Sequence, residues 1–153
     1  MDNIDKELLK NISDINGEIK GAYNIRKNGE GIERKVTENI DIVTKKDKAG
    51  IDIIIKENTK FEVVHIPVII TKSGLKDVVY NDFYVGKNSN VVIIAGCGIH
   101  NEEHEDSQHD GIHRFYLEEG AKVKYVEKHY GQGKRRRKKN IKSSNRSVFK
   151  KWK

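Results

Sequence analysis

A repeat with a period of about 30 residues is the feature that most limits what this chain can fold into. Three twelve-residue segments each carry an apolar triplet, a polar turn with Asn or Gly at the sixth position, and apolar residues at the ninth, eleventh and twelfth positions. They are IIIKENTKFEVV from Ile53, FYVGKNSNVVII from Phe83 and FYLEEGAKVKYV from Phe115. Such units bury their apolar faces against one another because one unit cannot do so alone. The repeat predicts stacked coils of a β-solenoid or β-helix, with a β-sandwich as the alternative.

The composition also favours a mainly β fold. The chain has 20 Ile and 13 Val but only four Leu and four Ala, and β-branched side chains suit a pleated surface. Pro67 lies inside an apolar run, where its missing N–H predicts an edge strand or a corner.

A short helix is predicted at the N-terminus. Apolar residues recur at helical spacing between Asp2 and Ile15, namely Ile4, Leu8, Leu9, Ile12 and Ile15. We therefore divide the chain into an N-terminal helix at 1–20, a repeat region at 21–131 and a basic tail at 132–153.

The cysteine count and the apolar runs bear on the compartment. A single Cys excludes a disulfide-stapled fold and a zinc ribbon, and favours a reducing compartment. The longest apolar stretch, Val91 to Ile99, has nine residues, far below the roughly 20 that cross a bilayer. The N-terminus resembles no signal peptide. We expect a cytoplasmic protein that does not enter a membrane.

The net charge of +7 comes from the tail. The tail holds 11 Lys or Arg and no acid, so residues 1–131 carry 19 basic and 23 acidic side chains, a net charge of −4. The repeat region therefore shows no bias towards phosphate. A disordered basic tail that binds nucleic acid by neutralising phosphates is one hypothesis.

A shifted reading frame is the hypothesis that we favour for the tail. Back-translated with A/T-rich codons and read one base later, the tail becomes EKEEGKRILNPQTEVYLKNG. In that string VYLKNG matches the type of FYLEEG and begins near position 147, one repeat period after Phe115. We expect a truncated chain whose repeat continues in the other frame, which the nucleotide sequence after the Gly131 codon would reveal.

One short stretch concentrates the residues that could carry chemistry. Five of the seven Cys and His residues fall within 17 positions. Thiolate and imidazole are ligands that iron, zinc and copper prefer, and Cys-x2-His and His-x3-His spacings let side chains converge on one ion. The candidate metal ligands are Cys97, His100, His104, His109 and His113. Carboxylates that could assist as ligands or hydrogen-bond acceptors are Glu102, Glu103, Glu105, Asp106 and Asp110.

The same residues also allow a purely structural interpretation. Histidines at the corners of a β-helix can donate to backbone carbonyls, and Cys97 can be a small buried hydrophobe. A hydrolase with Cys97 as nucleophile lacks an evident third orienting group. His65 and His129 stand alone in strands and are predicted to be packing residues. The AGCG stretch is not GxGxxG and no helical pattern follows it, so no bound nucleotide is expected.

Four blocks of the sequence resemble the short SufB/SufD-like proteins of clostridia and methanogenic archaea. They are YNIRKNG at Tyr23, GIDIIIKENTKFEVVHIPVII at Gly50, YNDFYVGKNSNVVIIAGCGIHN at Tyr80 and DSQHDGIHRFYLEEGAKVKYVEKHYG at Asp106. The resemblance covers Tyr23 to Gly131, and AGCGIHN and HDGIH are its most specific parts.

The resemblance implies a right-handed parallel β-helix and a role in iron–sulfur cluster assembly. The chain would be a scaffold subunit, not an enzyme, that pairs with a SufB/SufD-type subunit and a SufC-type ATPase. We also expect low solubility or a homo-oligomer without the missing half, because an open solenoid end exposes unpaired strand edges. Iron or an iron–sulfur cluster is the expected cofactor. Members of the family run on for about as many residues again, and the positions thought to hold the nascent cluster lie largely there, so none is carried over. The alternatives are a small nucleic-acid-binding protein that uses the tail and a free-standing metal-binding protein.

Overall fold

The structure, a computed structural model, describes residues 1–13, 19–101, 107–133 and 141–151. The described part forms one helix followed by ten strands. Their bounds are α1 (Asn3–Ser13), β1 (Ala22–Lys27), β2 (Glu30–Lys35), β3 (Ile40–Thr44), β4 (Gly50–Ile55), β5 (Lys60–Ile70), β6 (Lys76–Val85), β7 (Asn90–Asn101), β8 (Ser107–Leu117), β9 (Lys122–Gly133) and β10 (Ile141–Lys151). No helix in this part is long and apolar enough to span a bilayer.

The strands form two five-stranded sheets. Sheet A has the order β2-β1-β5-β7-β9, and sheet B has the order β10-β8-β6-β4-β3. From β4 onwards, successive strands alternate between the two sheets, and each pairs in parallel with the strand two places away along the chain. The prediction of a mainly β fold is confirmed, and its sheets are largely parallel.

An antiparallel strand stands at one end of each sheet. Strand β2 pairs with β1, and β3 pairs with β4. Every residue of β2 is exposed, and the strand carries Glu, Arg and Lys side chains. Charged edge strands of this kind discourage further pairing at that end of a sheet.

The register of sheet B matches the sequence repeat. Ile53 pairs with Phe83, which pairs with Phe115, so the first residues of the three segments lie side by side. The sixth positions, Asn58, Asn88 and Gly120, have φ values of 62°, 57° and 73°. Asn and Gly are the residues that adopt this left-handed conformation most readily. The alignment of the triplets and of the turns is therefore confirmed.

The alignment fails at the ninth position of the first segment. Lys60 pairs with Asn90 and Glu62 pairs with Val91, so Phe61 is an extra residue in a β-bulge. Its side chain is 84% exposed. The sequence predicts an apolar core position here, and that prediction is wrong because the bulge turns the ring out to solvent.

The main core lies between the inner faces of the two sheets. It is built from side chains of nearly every strand, among them Ile40, Ile53, Val64, Phe83, Val91, Ile93 and Phe115. Aromatic rings fill its centre: Phe115 stacks on Phe83 and meets the Tyr125 ring edge-on.

The predicted N-terminal helix packs on the outer face of sheet A. Its apolar stripe of Leu8, Leu9 and Ile12 contacts Ile25 and Ile69. Residues 14–18 of the predicted span lie outside the described residues. The helix begins with a reciprocal cap: the Asp5 N–H donates to Asp2 Oδ1 at 2.9 Å, and the Asp2 N–H donates to Asp5 Oδ2 at 3.3 Å.

Two glycines of β7 let α1 approach the sheet. A Cβ on Gly96 would lie 2.7 Å from the Ile12 carbonyl oxygen, and a Cβ on Gly98 would lie 3.1 Å from Leu8 Cβ. The glycines of AGCG therefore provide a flat surface for the helix.

Pro67 lies in the third of the five strands of sheet A, so its predicted place at an edge or corner is wrong. The ladder between β1 and β5 is interrupted at this point. It pairs Tyr23 with His65 and resumes with Arg26 opposite Val68. A residue without an N–H fits where the ladder is already interrupted.

Part of the segment assigned to the basic tail lies in β10. This strand pairs with β8 from Ile141 opposite Ser107 to Lys151 opposite Leu117. Residues 134–140 and 152–153 lie outside the described residues. The hypothesis of a shifted reading frame stays a prediction.

Candidate functional site

Strand β8 holds two of the candidate histidines on one face. Burial alternates along β8, with Ser107, His109, Gly111, His113 and Phe115 buried and the residues between them partly exposed. Alternate residues of a strand point to the same side of its sheet. His109 and His113 therefore face the interior between the sheets.

His109 belongs to a buried network with Asp77 and Arg26. His109 Nδ1 lies 3.2 Å from Asp77 Oδ2, and Asp77 is the register partner of His109 on β6. Arg26, on β1 of the other sheet, donates from Nε and Nη2 to the two oxygens of Asp77 at 3.0 and 2.8 Å. The Asp77 carboxylate thus ties sheet A to sheet B, and β6 to β8.

This network sets the protonation of Asp77. Burial alone would raise the pKa of the Asp77 carboxyl, but the hydrogen bonds from His109 and Arg26 outweigh burial and hold that pKa well below its usual value. Asp77 is therefore ionised over the whole physiological range, and its charge is fixed by two partners.

His113 has a different environment. Its Nδ1 lies 3.4 Å from Asn81 Nδ2. Its ring centroid lies 6.2 Å from that of Phe83 and 5.6 Å from that of Tyr125. An amide and aromatic rings therefore surround His113.

Cys97 and His100 occupy opposite faces of β7. Cys97 is 1% exposed and packs in a small apolar cluster with Val68, Ile70 and Ile99. His100 is three positions further along β7, so the alternation of the strand places it on the outer face, with Gly96 and Gly98. The interpretation of Cys97 as a small buried hydrophobe agrees with this packing.

The described candidate ligands do not converge on one point. Among the described residues, no group of three Cys, His, Asp or Glu side chains could hold a metal ion. Asp110, the one described carboxylate of the stretch, accepts a hydrogen bond from Gln108 at 2.7 Å. His104, Glu102, Glu103, Glu105 and Asp106 lie outside the described residues. A metal site that uses them stays a prediction, and the described residues alone do not fit one.

The motif spacing within the Cys97–His113 stretch did not identify three residues of this region, which are Asp77, His129 and Arg26. Phe83 and Phe115 are 32 residues apart and pair in register. Asp77 and His109, and likewise Cys97 and His129, are register partners at the same separation. His129 is thus the register neighbour of Cys97, and its side chain is 39% exposed with Nε2 3.5 Å from Glu127 Oε2. The prediction that His129 is an isolated packing residue is wrong. Arg26 precedes the repeat, and no spacing signal relates it to Asp77.

A second ionic network lies on the outer face of sheet B. Lys45 Nζ donates to Asp52 Oδ1 and to Asp82 Oδ2, both at 2.6 Å. Arg114 Nε lies 3.8 Å from Asp82 Oδ1. Burial would lower the pKa of Lys45, but the hydrogen bonds to the two carboxylates raise it above its ordinary value. Lys45 is therefore a fixed cation that holds β4 and β6 together.

Known proteins give no further guide to these residues. No protein-family model matches the chain, and searches of curated proteins and of solved structures find no match to it.

Proposed function

We propose that this chain is a cytosolic scaffold subunit of iron–sulfur cluster assembly, similar to SufB and SufD, and that its sheets are the coils of a right-handed parallel β-helix. The observation that carries the proposal is the register of Ile53, Phe83 and Phe115 on three neighbouring parallel strands. Coils stacked at this spacing are what the resemblance of the AGCGIHN and HDGIH blocks implies. The proposal is supported because the strand register of sheet B agrees with the arrangement that these motif blocks imply.

The placement of the histidines favours a scaffold over an enzyme. His109 and His113 are buried, and His109 is bonded to an ionised Asp77 that Arg26 also holds. A substrate would reach these imidazoles only if the sheets separated. A general base needs access to the proton that it removes. ATP hydrolysis in the complex is therefore assigned to the SufC-type partner.

The outer edge of β9 is the surface that we assign to the SufB/SufD-type partner. Strand β9 is the last strand of sheet A in the described part of the chain. The Lys122 N–H donates to the Ser89 carbonyl at 2.8 Å. In a parallel ladder alternate residues bond to alternate sides, so the N–H groups of Val123, Tyr125 and Glu127 point to the outer edge. A strand of the partner would bond to them in this chain, at the place that the next strand of the repeat would take in a chain continued in the other frame.

Iron or the cluster is the cargo of the assembly in this proposal. The described side chains do not form a three-ligand site, so no step of cluster assembly is derived from them. Iron contact by Cys97, His100, His104, His109 and His113 remains a proposal carried by the composition of the stretch. Thiolate and imidazole would supply borderline and soft ligands for ferrous iron.

Co-expression with a SufC-type ATPase and a SufB/SufD-type subunit tests the proposal. The expected result is a complex that co-elutes in fixed stoichiometry and hydrolyses ATP, whereas the purified chain alone does not. Failure of the chain to enter any complex with these two proteins would overturn the scaffold role.

A pair of variants at one position tests the assigned edge. Glu127→Pro removes an outward N–H without removing a bond to β7, and Glu127→Ala removes the same side chain but keeps that N–H. Loss of the complex in Glu127→Pro alone is expected. Equal binding by both variants would place the partner elsewhere.

A further inference from the structure

A cavity lies in the interior between the two sheets. It is lined by β1 and β5 of sheet A and by β4 and β6 of sheet B, and it encloses about 280 Å³ of unfilled space, part of which is open to solvent. Its apolar walls are formed by Ile51, Ile66, Pro67, Val68 and Val79. Among the described residues, the polar side chains of the lining are those of Asn24, Arg26 and Asn81. Apolar walls with a few polar groups are typical of ligand sites.

The strand register does not require polar side chains at this place. Val68 is the register neighbour of Arg26, and Ile51 is that of Asn81, so apolar residues occupy adjacent positions on the same inner faces. Asn24 and Asn81 are only 7% and 6% exposed. Burial of an amide costs free energy unless its hydrogen-bonding groups find partners. The polar lining is therefore not explained by packing.

The polar side chains keep donors that the protein does not use. Asn24 Oδ1 accepts a hydrogen bond from Arg34 Nε at 2.9 Å, and Arg26 donates to Asp77 from Nε and Nη2. Among the described residues, nothing accepts a hydrogen bond from Asn24 Nδ2 or Arg26 Nη1.

The Asn81 amide contacts His113 Nδ1 at 3.4 Å, and an amide fits this contact either way round. With the proton on His113 Nδ1, Asn81 Oδ1 accepts it and the amide NH2 is left for the cavity.

The charges around the cavity favour an anion. The lining residues meet two guanidinium groups, those of Arg26 and Arg34, and one carboxylate, that of Asp77. This set has a net charge of +1 when His109, on Asp77, and His113, on Asn81, are neutral.

Other charged residues nearby do not reverse this balance. On the outer faces of the sheets, Lys27 pairs with Asp5, and Lys45 pairs with Asp52 and Asp82. Glu33 and Lys35 cancel each other on the face of β2 opposite to that of Arg34. In the turn before β4, the exposed Lys46 and Asp47 cancel each other, and Lys48 lies over the Tyr80 ring.

We propose that this cavity binds a small carboxylate, of the size of formate or acetate. The guanidinium Nη1 of Arg26 and the NH2 groups of Asn24 and Asn81 donate to the two carboxylate oxygens, and hydrogen bonds of a guanidinium to a carboxylate are among the strong ones in proteins. The apolar walls contact the carbon end of the ligand. A single negative charge matches the net charge of the surrounding side chains.

Titration of the purified full chain with sodium formate, followed by NMR, tests the proposal. The side-chain NH2 signals of Asn24 and Asn81 and the guanidinium signals of Arg26 should shift in a saturable manner. Sodium chloride at the same concentration controls for a site that takes any anion, and formamide controls for the charge of the ligand. Both should leave these signals nearly unchanged. Absence of saturable shifts with formate, or equal shifts with chloride or formamide, would overturn the proposal. No other protein is present, so the result does not depend on the proposed scaffold role.

A pair of isosteric variants locates the site. Asn24→Asp keeps an oxygen for Arg34 Nε but replaces the spare NH2 by an oxygen and cancels the net charge, so the affinity for formate should fall roughly tenfold or more. Asn11→Asp, the same change at an exposed position of α1, should bind formate like wild type. If Asn24→Asp does not fold, Val79→Ile decides, because it narrows the cavity by one methyl group and keeps every polar group. Wild-type affinity in a folded Asn24→Asp variant, or in Val79→Ile, would overturn the proposal.

Discussion

The rings of Phe83 and Phe115 stack with their centroids 4.7 Å apart and their planes within 6° of each other. The two residues are register partners on β6 and β8, and Tyr84 and Tyr116 repeat the arrangement one position along at 5.0 Å and 9°. One pair faces the core and the other faces outwards. The sequence period thus places identical side chains in direct contact on two neighbouring parallel strands.

Removal of one stacked ring from the core should strongly destabilise the fold. Phe115 is fully buried, and Phe115→Ala should lower the free energy of unfolding by about 3–5 kcal/mol. The matched control is Phe61→Ala, the same chemical change at an exposed ring, which should cost little. Denaturant melts of both variants measure the difference, and equal losses would show that the stack is not in the core.

The Asp77 network predicts a defined dependence of stability on pH. Asp77→Asn should cost about 3–5 kcal/mol at pH 7, because Arg26, whose side chain is only 15% exposed, then keeps its charge without a counter-ion. The folded pKa of Asp77 lies below its unfolded value of about 3.9. The stabilisation from Asp77 is therefore fully present above that unfolded value and is lost as pH falls towards the folded pKa.

Between pH 7 and pH 3 the stability difference between wild type and Asp77→Asn should shrink by about 1 kcal/mol. Urea melts at the two pH values give this difference. A gap of unchanged size would mean that the carboxylate is not held by its two partners in solution.

The glycine surface under α1 predicts a large effect of one methyl group. Gly96→Ala would place a Cβ 2.7 Å from the Ile12 carbonyl oxygen, so α1 must move off the sheet, at a cost of about 1–3 kcal/mol. Gly31→Ala is the control, because nothing lies within 4 Å of its added Cβ. Thermal melts compare the two variants. Equal melting temperatures of Gly96→Ala and Gly31→Ala would refute the docking of α1 on this glycine surface.

Iron binding is predicted to depend on the cysteine and histidine stretch. The full-frame protein, reconstituted anaerobically, should bind ferrous iron, and Cys97→Ala combined with His113→Ala should lower the amount bound. The affinity for iron should fall as pH drops through the usual histidine pKa of about 6.5, because thiolate and neutral imidazole bind a metal only after losing protons.

The register of His129 beside Cys97 adds a second arm to this experiment. His129→Ala is compared with His65→Ala, a histidine of β5 outside the stretch. A loss of iron in His129→Ala but not in His65→Ala would identify β9 as the source of a ligand. Unchanged iron content in the double variant at Cys97 and His113 would mean that the Cys97–His113 stretch has a structural role and does not bind iron.

The register of the parallel strands was predictable from the sequence because it depends on one local rule. Parallel strands pair at a constant spacing, so a repeat of apolar triplets and left-handed turns at Asn58, Asn88 and Gly120 fixes which residues become neighbours. Helix α1 was predictable for a similar reason, since its apolar stripe has the helical period. Asp77 with His109 and Cys97 with His129 follow from the same 32-residue period once it is applied to polar residues.

Contacts between the sheets, and departures from the period, were decided by the tertiary structure alone. Arg26 reaches Asp77 across the interior because β1 lies in one sheet and β6 in the other, and no sequence period relates the two positions. Cys97 and His100 are close in sequence but point to opposite faces, since strand alternation outweighs proximity along the chain. Phe61 fits the repeat by residue type, yet one extra residue in β5 turns its side chain outwards. The β-bulge changes the backbone conformation there without changing the pattern of apolar residues in the sequence.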